Sequence, residues 1–505
     1  MNNSILFFID GWFFNFGIAK HLQGRCNYDF YSIIDVDDKA KKFFQNQQMV
    51  KYRKIWYLMD HISKTTKKPD LKYLASFEEK YNINLWSIIY SDREFYHYNP
   101  FHKFKEDEIL SMVEQECRFF EGVLDEVKPK FLSIFMTVAH YQELIYRICK
   151  ARGIKILMLG SARFGNRMMI SEEAGILDHT GKQTRNKSSK TIEELQSYLR
   201  SFDSSKEGSE YRRISFEAHV WDRYKSLLNF FFSIRNKNYK NRYTNYGKTR
   251  FNVLRIKILN LLEKKYRSFF IDRNLKTTLD ENTPFIYFPL QMEPERVLLI
   301  GAQFYTNQLA VITNIAKSLP VGYKLYVKEH PIMKILGWRE VSYYKQIMDL
   351  PNVVLVHPSI SSEELIKKCS LVITIAGTAG QEAAFHNKPV ISFTNQLYSH
   401  LSSVKNLKII EELPTLIRES LKKKVNITSL NEYVEMINES TFELNLIDTS
   451  ADFAYRFGFK GLIMDADMPI QKVESFLKDY ESIFEQLTIE HMKKIKQYEE
   501  NESRN

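Results

Sequence analysis

Cysteine is scarce in this chain: four in 505 residues, at Cys26, Cys117, Cys149 and Cys369. Their spacing is neither that of a CxxC pair nor that of a zinc knuckle. Buried, reduced thiols in a cytosolic protein are the expectation. Long apolar runs are missing too, with none approaching the roughly 20 residues that a membrane-spanning helix needs. The opening stretch MNNSILFFIDGWFF is apolar, but Asp10 interrupts it, no basic segment precedes it and no small-residue cleavage site follows. It is expected to be a first strand and a turn rather than a leader peptide. There is no GxGxxG and no Walker loop, which argues against a dehydrogenase and an ATPase. There is no HExxH, and the scattered histidines have no metal-ligand spacing. RRM, KH and helix-turn-helix signatures are absent, as is any internal repeat of short period.

What is present is apolar and aromatic: 44% of residues are hydrophobic and 14% aromatic, ample for buried cores. The length predicts two to three domains. The charge is uneven. Residues 223–272 hold thirteen Lys and Arg against Glu263 and Asp272, a surplus equal to the net charge of the whole chain, +11. Any polyanionic partner is therefore a matter for that one segment, which also carries eleven aromatics.

Strand-like and helix-like runs alternate along the chain, predicting parallel, doubly wound sheets. In the first part the expected strands are SILFFID, YDFYSIID, RKIWYLMD, INLWSIIYSD, KFLSIFMTV and IKILMLG. Several end on a polar residue (Asp10, Asp60, Asp92, His140), and such ends line one edge of a parallel sheet. From residue 284 the alternation resumes with PFIYFPLQ, YKLYVKEHP, NVVLVHP, LVITIAG and KPVISF, separated by helical patterns. The resulting fold class is α/β. Two Rossmann-like domains (1–180 and 281–460) are expected to face each other across a cleft. A helical, basic and aromatic segment (181–280) lies between them, and an amphipathic helix (461–505) closes the chain.

In the second domain His330, at a strand end before Pro331, is either a phosphate contact or part of a turn. GTAGQE adds weight. Gly377 and Gly380 let backbone approach a ligand, Thr378 offers a hydroxyl, and a helix starts there with its amide groups unpaired. Glu382 would accept bonds from ribose hydroxyls or complement the helix dipole. Ser361 and Ser362 open another helix.

LQMEPE (290–295), LYVKEHP (325–331), NVVLVHP (352–358) with Ser361 and Ser362 beyond, and TIAGTAGQEAAFHNKPVISF (374–393) resemble the capsule polysaccharide biosynthesis proteins. These are bacterial GT-B glycosyltransferases related to the Kdo transferases. The resemblance covers about 285–400 well and the N-terminal half only loosely. It implies a metal-independent transferase needing no cofactor. Its nucleotide-sugar donor, CMP-linked Kdo or another acidic sugar, would sit in the C-terminal domain; a glycan or lipid-linked acceptor would enter from the N-terminal one. Carried over residue by residue, it places His330 at the donor phosphate, Lys328 among the donor or nucleotide contacts, and Ser361, Ser362, Gly377, Thr378, Ala379 and Gly380 at the nucleotide. Glu382 falls near the ribose or sugar. Gln291 and Glu293 are either at the site's mouth or structural caps.

Transfer needs a base for the acceptor proton and positive charge for the departing phosphate. The candidates for the base are Asp10, Asp92 and His140. His140 is equally read as a helix cap or core histidine, and Asp92 as an ion-pair partner of Arg93. Arg163, in GSARFG, is a candidate anion contact or a structural residue. The segment 223–272 is a solvated helical face, an anionic-membrane contact or, least favoured, a nucleic-acid site. The expected location is cytoplasmic, peripheral at the inner face of the membrane. Rival readings are a CDP-glycerol-type phosphotransferase, a UDP-sugar transferase and a non-catalytic glycan-binding scaffold of the same fold.

Overall fold

The computed structural model describes residues 2–64, 67–96, 98–178, 190–201, 242–280, 282–457 and 468–504. Contacts divide the chain into two units: Met1–Asp178 with Phe202–Arg250 and Thr441–Asn505, and His179–Ser201 with Phe251–Ser440.

The first unit is built on β1 (Asn2–Ile9), β2 (Asp29–Ile34), β3 (Lys54–Tyr57), β4 (Pro129–Phe135), β5 (Lys155–Ser161) and β6 (Arg167–Ser171). A short strand from much later in the chain, Phe442–Glu443, pairs antiparallel with β6 and completes the sheet. The order from that strand is β6, β5, β4, β1, β2, β3, with β1 to β5 parallel and β6 antiparallel. In β1, Ile5, Phe7 and Ile9 enter the core on one face of the sheet, and Leu6 and Phe8 enter the core on the other. A strand buried on both faces needs apolar residues at every position. Each such Phe stabilises the fold by about 1.5–3 kcal/mol.

INLWSIIYSD is not a strand. Residues Leu85–Tyr90 are helical, because Asn84 caps the first turn by accepting from the Ser87 amide at 2.8 Å. Leu85, Ile88 and Ile89 then share a buried face at helical spacing. Asp92 accordingly follows a helix and not a strand.

The C-terminal stretch is also not one helix. It forms Ile470–Asp479 and Glu481–Arg504, interrupted at Tyr480. Both lie in the first unit. Phe484 sits against Gly17 of the helix Phe14–Leu22 so closely that a Cβ there would overlap its ring. Tyr498 donates to Asp178 at 2.8 Å, and Lys130 pairs with Glu502 at 2.9 Å.

The second unit contains β7 (Phe285–Pro289), β8 (Lys324–Lys328), β9 (Val353–Val356), β10 (Leu371–Thr374), β11 (Val390–Ser392) and β12 (Val404–Asn406). All are parallel, in the order β12-β11-β10-β7-β8-β9. Of the basic segment, residues 223–241 lie outside the described residues. From there, Tyr243 and Tyr246 enter the first unit's core, and Arg250–Asn274 is a 25-residue helix. No helix among the described residues is long and apolar enough to cross a membrane.

Candidate functional site

Both sheets reverse direction beside their first strand. In the second unit β7, β8 and β9 step one way, then the chain returns to place β10 on the other side of β7. Ligands of open α/β sheets bind outside such reversal points, at the carboxyl ends of the strands. The strands part there: β7 and β10 pair only at Ile286–Leu371 and Tyr287–Val372, whereas β7 and β8 stay paired to Pro289–Lys328.

The loops at that edge bring the sequence candidates onto neighbouring strand ends. Lys328 ends β8, is buried, and its Nζ donates to Ser362 Oγ at 3.0 Å. Burial lowers its pKa to about 8, and only the Glu382 carboxylate opposes that shift. His330 is partly exposed, and its Nδ1 accepts from the Ile332 amide at 3.3 Å. Ser361 is the cap of the helix Ser362–Lys368, accepting from Glu364 at 2.9 Å. The Gly377 amide donates to Thr374 Oγ1 at 2.9 Å, and its carbonyl accepts from Tyr398 at 2.8 Å. Thr378 donates to Glu382 across 3.3 Å, one turn along Ala379–Phe385. Gly380 is packed under the Tyr398 ring, where a Cβ would come within 2.8 Å.

Gln291 and Glu293 act as braces. The Gln291 backbone exchanges hydrogen bonds with the Gln308 side chain at 2.7 and 3.1 Å, and its amide reaches Thr374 Oγ1 at 3.3 Å. Glu293 pairs with Arg339 at 2.7 Å, and Arg339 also bonds Glu329 at 2.9 Å and the Gln291 carbonyl at 2.6 Å. Burial alone would lower the Arg339 pKa, but Glu329 and Glu293 outweigh it and raise it. Glu329, fully buried, is raised by desolvation despite Arg339. This knot fixes the loops after β7 and β8 to each other. Arg339 and Tyr398 lie outside the motifs, and Glu329, within LYVKEHP, was given no role there.

In the first unit β1 and β4 flank the reversal. Asp10 ends β1, is partly buried, and accepts from the Trp12 amide at 3.0 Å. Desolvation, reinforced by the Asp35 carboxylate, pushes its pKa up to about 6, the Trp12 amide opposing. Asp35 lies beside it, its amide donating to the Ile9 carbonyl. It receives the Tyr141 hydroxyl at 2.6 Å and the Arg242 guanidinium at 2.7 Å. Arg242 also pairs with Asp37. Asp35-Val36-Asp37 is a DxD directly after β2, contrary to the expectation that no such pair follows a strand; Arg242 holds both of its carboxylates.

His140 and Asp92 come together, but away from solvent. His140 Nδ1 is 2.6 Å from Asp92, and Nε2 is 2.8 Å from Glu116. Burial alone would lower the His140 pKa; the two carboxylates outweigh it and raise it to about 10. Desolvation lifts Asp92 as well, but His140 and the hydrogen bonds from His140 and Glu94 overcome it, so its pKa falls. For Glu116 desolvation wins over His140, and its pKa rises. Asp92 is thus the partner of His140, not of Arg93. A fully buried imidazolium with both nitrogens engaged has no free lone pair for a substrate proton. Glu116 could have been found: it sits among Ile109, Met112, Val113 and Phe120 on the buried face of Glu106–Val127, a core position for a carboxylate. Arg163, in the left-handed region at φ 56°, forms the turn between β5 and β6, its amide donating to Ser161 at 3.0 Å.

Residues 176–415 match the profile of a family described as "Capsule polysaccharide biosynthesis protein". No curated protein sequence matches the chain significantly. Solved structures similar to it include the UDP-GlcNAc 2-epimerase of Methanocaldococcus jannaschii, 12% identical, covering 86% of this chain and 99% of that one, with a TM-score of 0.24. Two others are from Thermosulfurimonas dismutans KpsC. The beta Kdo 2,7 transferase is 11% identical over 63% of this chain and 79% of that one, with a TM-score of 0.29. The beta Kdo 2,4 transferase is 12% identical over 64% and 88%, with a TM-score of 0.30. Structural likenesses this slight carry no argument about activity. What the motifs around Lys328, His330 and Gly377 indicated agrees with the profile match: residues 176–415, just under half of the chain, are similar to the capsule polysaccharide biosynthesis family.

Proposed function

We propose that the protein is a glycosyltransferase of capsular polysaccharide synthesis that moves a sugar from a nucleotide donor to a glycan or lipid-linked acceptor without a metal ion. The observation that carries this reading is the gathering of Lys328, Ser362, Thr378 and Glu382 around the strand ends where β7 and β10 part, inside the segment that matches the family. A buried ammonium with a hydroxyl as its one described protein hydrogen-bond partner is suited to a phosphate oxygen. His330, the next residue but one, stands partly exposed at the same strand end. Together they offset the charge that builds on the phosphate as the glycosidic bond breaks.

Asp10 is the base we assign to the acceptor hydroxyl. At a pKa of about 6 it is ionised at neutral pH yet more basic than an ordinary carboxylate. His140 and Asp92 are not assigned to the chemistry; their contacts support a positioning role behind the same sheet edge. Arg163 is left as a candidate anion contact. For the donor we propose a CMP-linked acidic sugar such as Kdo, with a CDP-linked or UDP-linked donor as the rival.

Thermal-shift titration with CMP, CDP, UDP and GDP tests this. One cytidine nucleotide should raise Tm, by an amount equivalent to about 2.7 kcal/mol at a hundredfold excess over Kd, and His330→Ala should abolish the shift. Stabilisation by UDP alone would move the donor class. No stabilisation by any nucleotide would leave a non-catalytic scaffold and overturn the proposal.

A further inference from the structure

The helix Arg250–Asn274 buries Val253, Ile256 and Ile271 on one side, Ile271 within the second unit's core. The opposite side is also apolar. Phe251, Leu254, Ile258, Leu262 and Phe269 recur at three-, four- and seven-residue steps, so they form one stripe along the helix. All are exposed: Phe251 by 74%, Leu262 and Phe269 by 61% each. A helix of 25 residues is about 37 Å long, and the stripe runs along most of it. Cations punctuate that same side. Arg255 falls between Phe251 and Ile258, Lys265 between Leu262 and Phe269, and the Arg273 guanidinium lies 6.0 Å from the Phe269 ring centre.

A solvated helical face does not place five large apolar side chains in register, and scattered exposed hydrophobics would need no explanation. The charge selects the occupant. The helix carries seven Lys and Arg against Glu263 and Asp272, so a second copy of the same helix would be repelled. Apolar residues alternating with long basic side chains suit a surface that is anionic outside and hydrocarbon beneath. There the rings enter and the Lys and Arg stems reach back to the phosphates. A helix lying in the interface needs no spanning length, and none is present among the described residues.

We infer that Arg250–Asn274 is an interfacial helix that docks the second unit on an anionic phospholipid bilayer through the Phe251–Phe269 stripe. The inference stands apart from the transferase reading, since it uses none of the donor-site residues.

Co-sedimentation of the full chain with phosphatidylglycerol-containing vesicles and with pure phosphatidylcholine vesicles tests it. Binding should be at least tenfold stronger to the anionic vesicles and should weaken with salt. Leu254→Ser with Leu262→Ser should reduce it at least tenfold, and Arg255→Gln with Lys265→Gln should remove the preference for anionic lipid. The substituted residues are exposed, so Tm and the nucleotide-induced shift should be those of the parent chain. That keeps failure here distinct from failure of the transferase reading. Equal binding to both vesicles, or binding unchanged in the Leu pair, would overturn the inference. So would a dimer in light scattering that the Leu pair dissociates, which would assign the stripe to a second copy. Oligonucleotide binding lost in the Arg255/Lys265 pair but kept in the Leu pair would reassign the helix to nucleic acid.

Discussion

Behind the sheet edge of the first unit, charge is sealed in: His140 is gripped by Asp92 and Glu116, and all three side chains are at most 5% exposed. At the edge of the second unit, Lys328 is nearly as buried, but its described hydrogen-bond partner is a single serine hydroxyl. The two arrangements have opposite electrostatics. Anions around the imidazole hold its proton and raise its pKa, whereas desolvation strips stability from the ammonium and lowers its pKa. A compensated buried ion braces a fold; an undercompensated one is suited to an anionic ligand. The second unit contains both kinds, since Arg339 with Glu329 and Glu293 forms a sealed knot beside Lys328.

The largest effect should come from breaking the sealed cluster. His140→Ala leaves two buried carboxylates without a cation and should cost about 3–5 kcal/mol in urea unfolding; a loss below about 1 kcal/mol would show that Asp92 and Glu116 reach water. The parent chain should show the pH signature of a raised histidine. Its imidazole titrates near 6.5 unfolded and near 10 folded, so between those values the native state holds a proton that the unfolded state has lost. Stability from this source is full below the lower value and is lost as pH rises through the upper one. The difference between parent and variant should therefore shrink from neutral pH to about pH 9.

Lys328→Met should reverse the pattern. Folding stability should stay within about 1 kcal/mol, because a desolvated cation gives way to an apolar chain of similar length. Nucleotide affinity should fall roughly ten- to hundredfold with the loss of a charge-assisted hydrogen bond. In the parent chain nucleotide binding should weaken as pH passes 8, where Lys328 loses its proton. A variant that unfolds but, when folded, still binds nucleotide would make Lys328 a brace like His140. The smallest effect is expected from Gly377→Ala, whose methyl would meet Thr374 Oγ1 at 2.8 Å and Gln291 Nε2 at 2.9 Å. Calorimetry should show a loss of about 1–2 kcal/mol from overpacking, with the nucleotide shift reduced.

Much of this was legible in the chain. Strands buried on both faces announce themselves as continuous apolar runs, and SILFFID, KFLSIFMTV, YKLYVKEHP and LVITIAG all form strands where expected. INLWSIIYSD misled because a short apolar run has no clear period; the Asn84 cap decided for helix. At the strand ends of the second unit the motifs pointed to Lys328, Ser362, Thr378 and Glu382, which the fold brings near one another, because glycine-rich turns and strand-end residues are local in sequence. The roles of Arg339, Glu329 and Tyr398 were illegible, Glu329's even within LYVKEHP, because they depend on which loops fold together. Arg242 was hidden differently: it looked like one of thirteen surface cations, yet it closes over Asp35 and Asp37, more than two hundred residues earlier.

The return of the last helices to the first unit sets an order of events for a growing chain. With 178 residues made, the first sheet lacks its Phe442–Glu443 edge strand, and Gly17 has no Phe484 to pack against. The unit that begins first is therefore completed last, after the second has emerged whole from the ribosome. Until then the rings of Phe13 and Phe14 lack the Phe453 and Phe484 rings that pack against them.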